Sequence, residues 1–215
     1  MTRRFDLVVL DVGGVLVRTG RTWGEDAALA GFTFSPAWLE QFEARRRSLP
    51  RLDAGEVDGE RYFALLAEAS GGVLTPDDAQ RITRASPIAE YPGIGRVFDA
   101  LDAAGIETAL LMNLNEEEWA RFFPETASAS EFPTLSRAPH RFASHLMHAA
   151  KPDPRAYATV ERETGHAGER ILFFDDRAEN VAAAQSLGWT AEQIDHTGDT
   201  PSQILDQLRR HGVTS

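Results

Sequence analysis

The sequence contains no cysteine, which excludes disulfides, thiolate nucleophiles and thiolate metal ligands together. It also has no long apolar run: no segment approaches the roughly 18 uninterrupted apolar residues that a membrane span needs. The apolar stretch near the N-terminus is cut by Asp6 and Asp11 and lacks a small-residue cleavage site, so it does not read as a secretory leader. Positive charge is scarce beside negative, 22 Lys plus Arg against 33 Asp plus Glu, for a net charge of -11. Nucleic-acid affinity comes mainly from clustered Lys and Arg, so no nucleic-acid partner is expected. A small anionic ligand needs only a few local positive groups and stays open. The expectation is a cytoplasmic protein with no membrane partner.

What is present is ordinary for a globular protein. With 215 residues, 42% of them hydrophobic and 26% charged, the chain can bury a full core. Three short apolar runs, Phe5 to Leu10, Ile106 to Met112 and Ile171 to Phe174, have no period of two and read as strands covered on both faces. Amphipathic helices follow them. Pro92 precedes the stripe Ile94, Val97, Phe98 and Leu101, which stops at Gly105. Asp153-Pro154 places a capping carboxylate before a proline at the first helical position. Ala178 to Leu187 ends at Gly188, and Thr200-Pro201 opens a last helix. Strands alternating with helices predict an α/β fold with a doubly wound parallel sheet.

The segment from Arg18 to Glu90 has no convincing strand. Its helix starts come in series, at Ser35-Pro36 and at the capping box Thr75-Pro76-Asp77-Asp78, with Tyr62, Phe63, Leu65 and Leu66 marking an apolar helix between them. We therefore expect a core domain over 1–17 and 91–215 and an all-helical cap domain over 18–90. Thr126 to Pro139, rich in Ser, Thr, Ala and Pro, reads as a loop.

In a doubly wound sheet ligands bind beyond the carboxyl ends of the strands. Those ends carry Asp11-Val12-Gly13-Gly14, Met112-Asn113-Leu114-Asn115 and Asp175-Asp176, with Lys151 just before the Asp153 cap. Taken singly, each has an ordinary explanation: a turn carboxylate, a helix cap, a solvated lysine. None of these explains the set. Crowded carboxylates need a cation, and hard oxygen donors favour Mg²⁺. A metal and one lysine can orient a phosphate against a carboxylate nucleophile. Glycines after Asp11 allow a tight turn whose amides face phosphate oxygens.

Asp11-Val12-Gly13-Gly14-Val15-Leu16, Leu111-Met112-Asn113-Leu114-Asn115, Lys151-Pro152-Asp153-Pro154 and Phe174-Asp175-Asp176-Arg177-Ala178-Glu179-Asn180 resemble the four ordered motifs of the haloacid dehalogenase superfamily, in its helical-cap branch. The resemblance covers essentially the whole chain. It implies a Mg²⁺-dependent phosphatase that works on a small phosphorylated metabolite through an aspartyl-phosphate. On that resemblance Asp11 is nucleophile and metal ligand, Lys151 holds nucleophile and phosphate, and Asp176 ligates the metal with Asp175 assisting. The Gly13 carbonyl is a further ligand, and Gly14, Asn113 and Asn115 contact the substrate.

Two positions depart from the family pattern. Its usual general acid, two residues after the nucleophile, is Gly13 here, and its phosphate-binding Ser or Thr is Met112, whose thioether cannot donate. They motivate one alternative to the phosphatase, a member that binds a ligand or partner with little turnover; the resemblance also leaves a second, a haloacid dehalogenase, since some members use the same nucleophile on carbon–halogen bonds. The paired Asp175-Asp176 speaks against the second, because the metal-free dehalogenases lack it. His140, His145 and His148 line a loop near the site in this reading, and a metal role for them is the lesser alternative.

Overall fold

The computed structural model describes residues 4–126 and 130–214. In chain order the elements begin with β1 (Leu7–Leu10) and β2 (Val17–Arg18). Four helices follow, α1 (Trp23–Leu29), α2 (Pro36–Arg46), α3 (Gly59–Ala69) and α4 (Pro76–Arg84). Next come β3 (Ala89–Glu90), α5 (Gly95–Ala104), β4 (Glu107–Met112), α6 (Glu116–Phe122), β5 (His140–Ala143) and the short α7 (Ser144–Met147). The chain ends with α8 (Pro154–Thr164), β6 (Ile171–Asp175), α9 (Ala178–Ser186), β7 (Thr190–Gln193) and α10 (Thr200–Arg210).

Five strands form a parallel sheet in the order β5-β4-β1-β6-β7. All of β1 and β6, and all but the first residue of β4, are buried, which is why their sequences lack a polar alternation. Successive side chains still point to opposite faces. Val8 and Leu10 join a cluster with Val97, Phe98, Ile204 and Leu208 from α5 and α10. Leu7 and Val9 join the other, with Tyr157 and Val160 of α8 and Val181 of α9. The result is a doubly wound α/β core with its central strand at β1.

The helix starts predicted from capping residues form as expected. Ser35, Thr75 and Asp153 each accept a backbone N–H of the first turn. Gly105 ends α5 in the left-handed conformation. Two edge strands went unpredicted. β5 (His-Arg-Phe-Ala) and β7 (Thr-Ala-Glu-Gln) are only partly buried and too polar to stand out by composition. Within the stretch read as a loop, Pro133–Arg137 forms a 3₁₀ turn, and residues 127–129 lie outside the described residues.

Helices α1 to α4 share a hydrophobic cluster of their own, built on Trp23, Phe42, Phe63, Leu66 and Ile82. Trp23, Phe34, Trp38 and Phe42 pack ring against ring, with Phe34 and Trp38 centroids 4.3 Å apart. Where the chain leaves for this helical block and where it returns, β2 and β3 pair antiparallel, Val17 with Glu90 and Arg18 with Ala89. The segment 18–90 therefore does contain strand, in two short pieces at its margins. Gly20 N–H also donates to Ser86 Oγ at 3.1 Å, tying the two crossings together. Among the described residues no helix is long and apolar enough to cross a membrane.

Candidate active site

Asp11 follows the last residue of β1. Its backbone N–H donates to Phe174 O at 2.9 Å, so the ladder holds it beside the end of β6. The chain then turns sharply: the N–H groups of Leu16 and Val17 both return to Val12 O, and Gly14 N–H donates to Val17 O. Gly14 needs φ +84°, and a Cβ there would stand 2.6 Å from both an Arg21 nitrogen and an Asp176 oxygen. Only glycine fits such a position. Its amide is spent inside the turn, and its Cα forms the floor beneath those two side chains.

Lys151 is the only lysine in the sequence, and it is buried. Nζ donates to Asp11 Oδ1 at 2.5 Å and to Asp175 Oδ2 at 2.8 Å. Burial pulls its pKa down, but the two carboxylates outweigh that and hold the ammonium above its ordinary range. Asp175, fully buried, also accepts from Asn180 Nδ2 and from Arg177 N–H, so every side of it is engaged. Asn113 fixes the lysine from behind. Its Nδ2 donates to Lys151 O at 2.8 Å, and its Oδ1 accepts Lys151 N–H at 2.9 Å.

Asp176 points to the same place from the end of β6. Arg21 Nη2 donates to its Oδ2, and His196 Nδ1 lies 4.0 Å from that oxygen. Gln193 Nε2 donates to the Asp176 carbonyl at 3.0 Å and fixes its backbone.

Carboxylate oxygens of Asp11, Asp175 and Asp176 lie within 4.8 Å of one another. Burial, the largest influence, pushes the Asp11 pKa up to about 7; Lys151 opposes this, while Asp175 and Asp176 add to it. Lys151 and Arg21 together still leave the three carboxylates short of positive charge. Hard oxygen donors with a deficit of positive charge suit a divalent cation such as Mg²⁺.

A cavity of about 500 Å³ opens over these groups, between the sheet edge and the helical block. Asp11, Gly13, Asn113 and Lys151 line it from the core side, and Arg46, Arg51 and Tyr62 line it from the helical side. Glu118, half-buried in its wall, has its pKa pushed up to about 7, mainly by burial.

The described residues thus bring Asp11, Gly13, Gly14, Asn113, Lys151, Asp175 and Asp176 to one edge. Asn115 goes elsewhere. It caps α6, accepting Glu118 N–H at 3.1 Å and donating to Glu118 Oε2, and it lines a different cavity. Its two polar atoms are taken by the capping box, which removes it from the set that faces the cavity. Met112 turns into the core cluster with Leu110 and Phe174 and is buried. The three histidines do not come together as a set. His140 pairs with Glu107 at the start of β5, while His145, its Nδ1 2.9 Å from Leu114 O, and His148 line the separate cavity beside Asn115.

A family model described as haloacid dehalogenase-like hydrolase matches residues 5–188. The chain is a haloacid dehalogenase-like hydrolase. Curated relatives of this hydrolase include a phosphatase from Mycobacterium tuberculosis, 26% identical over 193 residues, 90% of this chain and 79% of the relative. Phosphoglycolate phosphatase 1 of Pseudomonas aeruginosa is 26% identical over 231 residues, 97% of this chain and 79% of that protein. Among solved structures, an aspartate-to-alanine mutant of a HAD family enzyme of Bacteroides thetaiotaomicron, in complex with magnesium and inorganic phosphate, aligns with TM-score 0.68 at 19% identity. That alignment covers 91% of this chain and 96% of the other. L-2-haloacid dehalogenase of Xanthobacter autotrophicus aligns with TM-score 0.61 at 18% identity, covering 88% and 77%. At those identities the likeness is one of fold.

Arg21 is the residue of the hydrolase site that sequence reasoning missed. It sits 155 positions from Asp176, in a linker without a recognisable motif, and only folding brings the two together. Lys151 carried a signal that went unused: as the sole lysine, it is the one ammonium side chain the chain retains.

Proposed function

We propose that this hydrolase is a Mg²⁺-dependent phosphatase acting on a small phosphorylated metabolite, with Asp11 as nucleophile. The observation that carries the reading is the Asp11–Lys151–Asp175 triad set against Asp176 at the mouth of a polar cavity. The phosphatase names of the two curated relatives support it, as does the magnesium and phosphate complex of the Bacteroides structure.

Asp11, Asp176 and the Gly13 carbonyl would hold the metal, with Asp175 supporting through its neighbours. When bound, Mg²⁺ neutralises phosphate charge and polarises the phosphorus. The chain's own residues do the rest. Lys151 engages Oδ1 of Asp11 and leaves Oδ2 to attack the phosphorus. As an aspartyl-phosphate forms at Asp11, the P–O bond to the leaving alcohol breaks and its oxygen takes a proton from water, since position 13 carries no acid. Water then attacks phosphorus, releasing inorganic phosphate and regenerating the carboxylate. The helical block 18–90 acts as the cap, excluding bulk water and contacting the leaving group through Arg46, Arg51 and Tyr62.

Assayed on a panel of phosphomonoesters that includes p-nitrophenyl phosphate, the purified protein is expected to release phosphate with Mg²⁺ and to stop in excess EDTA. No release from any ester, or chloride release from a 2-haloacid in chelator, sinks the reading.

A second reading, a ligand-binding member with little turnover, rests on Gly13 and Met112. Neither offers a proton or a hydroxyl to the phosphate. Gly13 can be tested directly, because a Cβ there would meet its nearest neighbour, Thr19 Cγ2, at an ordinary 3.5 Å. Gly13→Asp is therefore expected to fold and to raise kcat by about 10²–10⁴-fold, the usual contribution of a placed general acid. An unchanged kcat in an active parent would mean that another group already delivers the proton.

A further inference from the structure

Arg21 pairs with Asp176 from the linker that leads into the helical block. Its backbone N–H is anchored by Glu25 Oε2 at 2.7 Å, while its side chain reaches from the cap linker across Gly14 to the metal-side carboxylate. That side chain is 28% exposed, whereas the Asp176 side chain is 1% exposed, so the arginine still reaches solvent while the aspartate is buried. It lines the same cavity as Asp11, Asn113 and Lys151.

We propose that Arg21 is a phosphate-binding residue, its guanidinium passing from Asp176 to the substrate when a divalent cation takes that carboxylate. This rests on the phosphatase reading above. Charge makes the exchange favourable. With all three ionised, as the attacking carboxylate requires, Asp11, Asp175 and Asp176 face two cations, Lys151 and Arg21, which leaves one negative charge uncompensated. A divalent cation with Lys151 alone neutralises the three carboxylates and makes Arg21 surplus there. A phosphate dianion arriving at Asp11 then needs a cation, and Arg21 is within the same cavity to supply it.

Donor supply favours the same residue. Lys151 is committed to Asp11 and Asp175, Asn113 is committed to the lysine backbone, and Met112 has turned into the core. A guanidinium presents planar paired donors that match phosphate oxygens. Gly14 completes the arrangement: any side chain there would collide with the Arg21 head group.

The test needs no turnover. Mg²⁺ alone, and then inorganic phosphate in saturating Mg²⁺, are titrated calorimetrically into the parent, Arg21→Gln and Arg21→Lys. Removing a competitor for Asp176 is expected to leave Mg²⁺ affinity in Arg21→Gln equal to the parent's or tighter by about 3–10-fold. Phosphate affinity is expected to fall by roughly 10–100-fold, the worth of a charge-assisted hydrogen bond. Arg21→Lys keeps the charge and should lose less, so it also carries the test if the glutamine variant does not fold. A structural staple predicts the opposite pattern, weakened Mg²⁺ binding with phosphate binding unchanged once Mg²⁺ is saturating, and that result overturns the proposal. A parent that binds neither Mg²⁺ nor phosphate removes the phosphatase reading with it. A parent that binds both, beside variants that bind phosphate equally well, removes the role of Arg21 alone.

Discussion

Asp11→Asn is expected to lower kcat/KM for any hydrolysed phosphomonoester by at least about 10⁴-fold, as loss of a nucleophile does in enzymes that form a covalent intermediate. An amide at this position keeps the shape of the carboxylate but cannot attack phosphorus. The variant should stay folded, because its backbone N–H remains in the ladder to Phe174 O and its side-chain oxygen can still accept from Lys151. Its stability should also respond differently to pH. The native state holds the Asp11 proton up to about pH 7, while the unfolded chain releases it near the ordinary 3.8. The folded protein thus binds more protons across that window, so this group makes stability fall as pH rises from about 4 to about 7 and level off above. The substitution to asparagine removes that contribution. Urea denaturation in chelator at about pH 5 and about pH 8 checks it: the drop between the two should be smaller in the variant. Full activity in Asp11→Asn would end the nucleophile assignment.

Lys151→Met should damage both folding and chemistry. Methionine fills a similar volume, so the change is chiefly the loss of a charge. It strands Asp11 and Asp175, whose side chains are 11% and 0% exposed, without their shared cation. Breaking a buried ion pair from one side costs about 3–5 kcal/mol. The loss should be larger at about pH 8 than at about pH 5, because at the lower pH Asp11, its pKa already raised by burial, holds a proton and leaves less charge stranded. Activity should fall by at least about 10²–10³-fold, since the group that orients the nucleophile has gone. Lys151→Arg is expected to rescue neither property. The ammonium is gripped as a point charge between two carboxylates, with its nitrogen 5.6 Å from the Phe173 ring centroid, and a planar fork does not fit that cleft. Denaturant midpoints and initial rates for the three proteins decide the matter. Wild-type stability in Lys151→Met would mean that the lysine does not hold the two carboxylates.

Much of this architecture is legible from local patterning. The three central strands declare themselves as unbroken apolar runs, because strands covered on both faces have no solvent side to mark with polar residues. Helix starts at Ser35, Thr75 and Asp153 are readable because a cap is a bond between residues only two or three apart. Edge strands β5 and β7 are not, since their pairing is set by neighbours distant in sequence and their composition is mixed. Asn115 misleads for a related reason. An asparagine after a strand suits a ligand contact or a helix cap equally well, and the Glu three residues later, which makes the capping box, settles it. Asn113, expected at the substrate, spends both its polar atoms on the lysine backbone.

The same division runs through the site. By itself the sequence determined which carboxylates and which lysine stand at the strand ends, because the turn after each strand is encoded within a few residues. It also determined that position 13 carries no acid and position 112 no hydroxyl. The tertiary structure alone decided what those groups do to each other. It set Lys151 between Asp11 and Asp175, placed Arg21 on Asp176, and sent Met112 into the core. Charge pairing and burial act across space, as between Arg21 and Asp176, 155 positions apart, and no local pattern carries that distance.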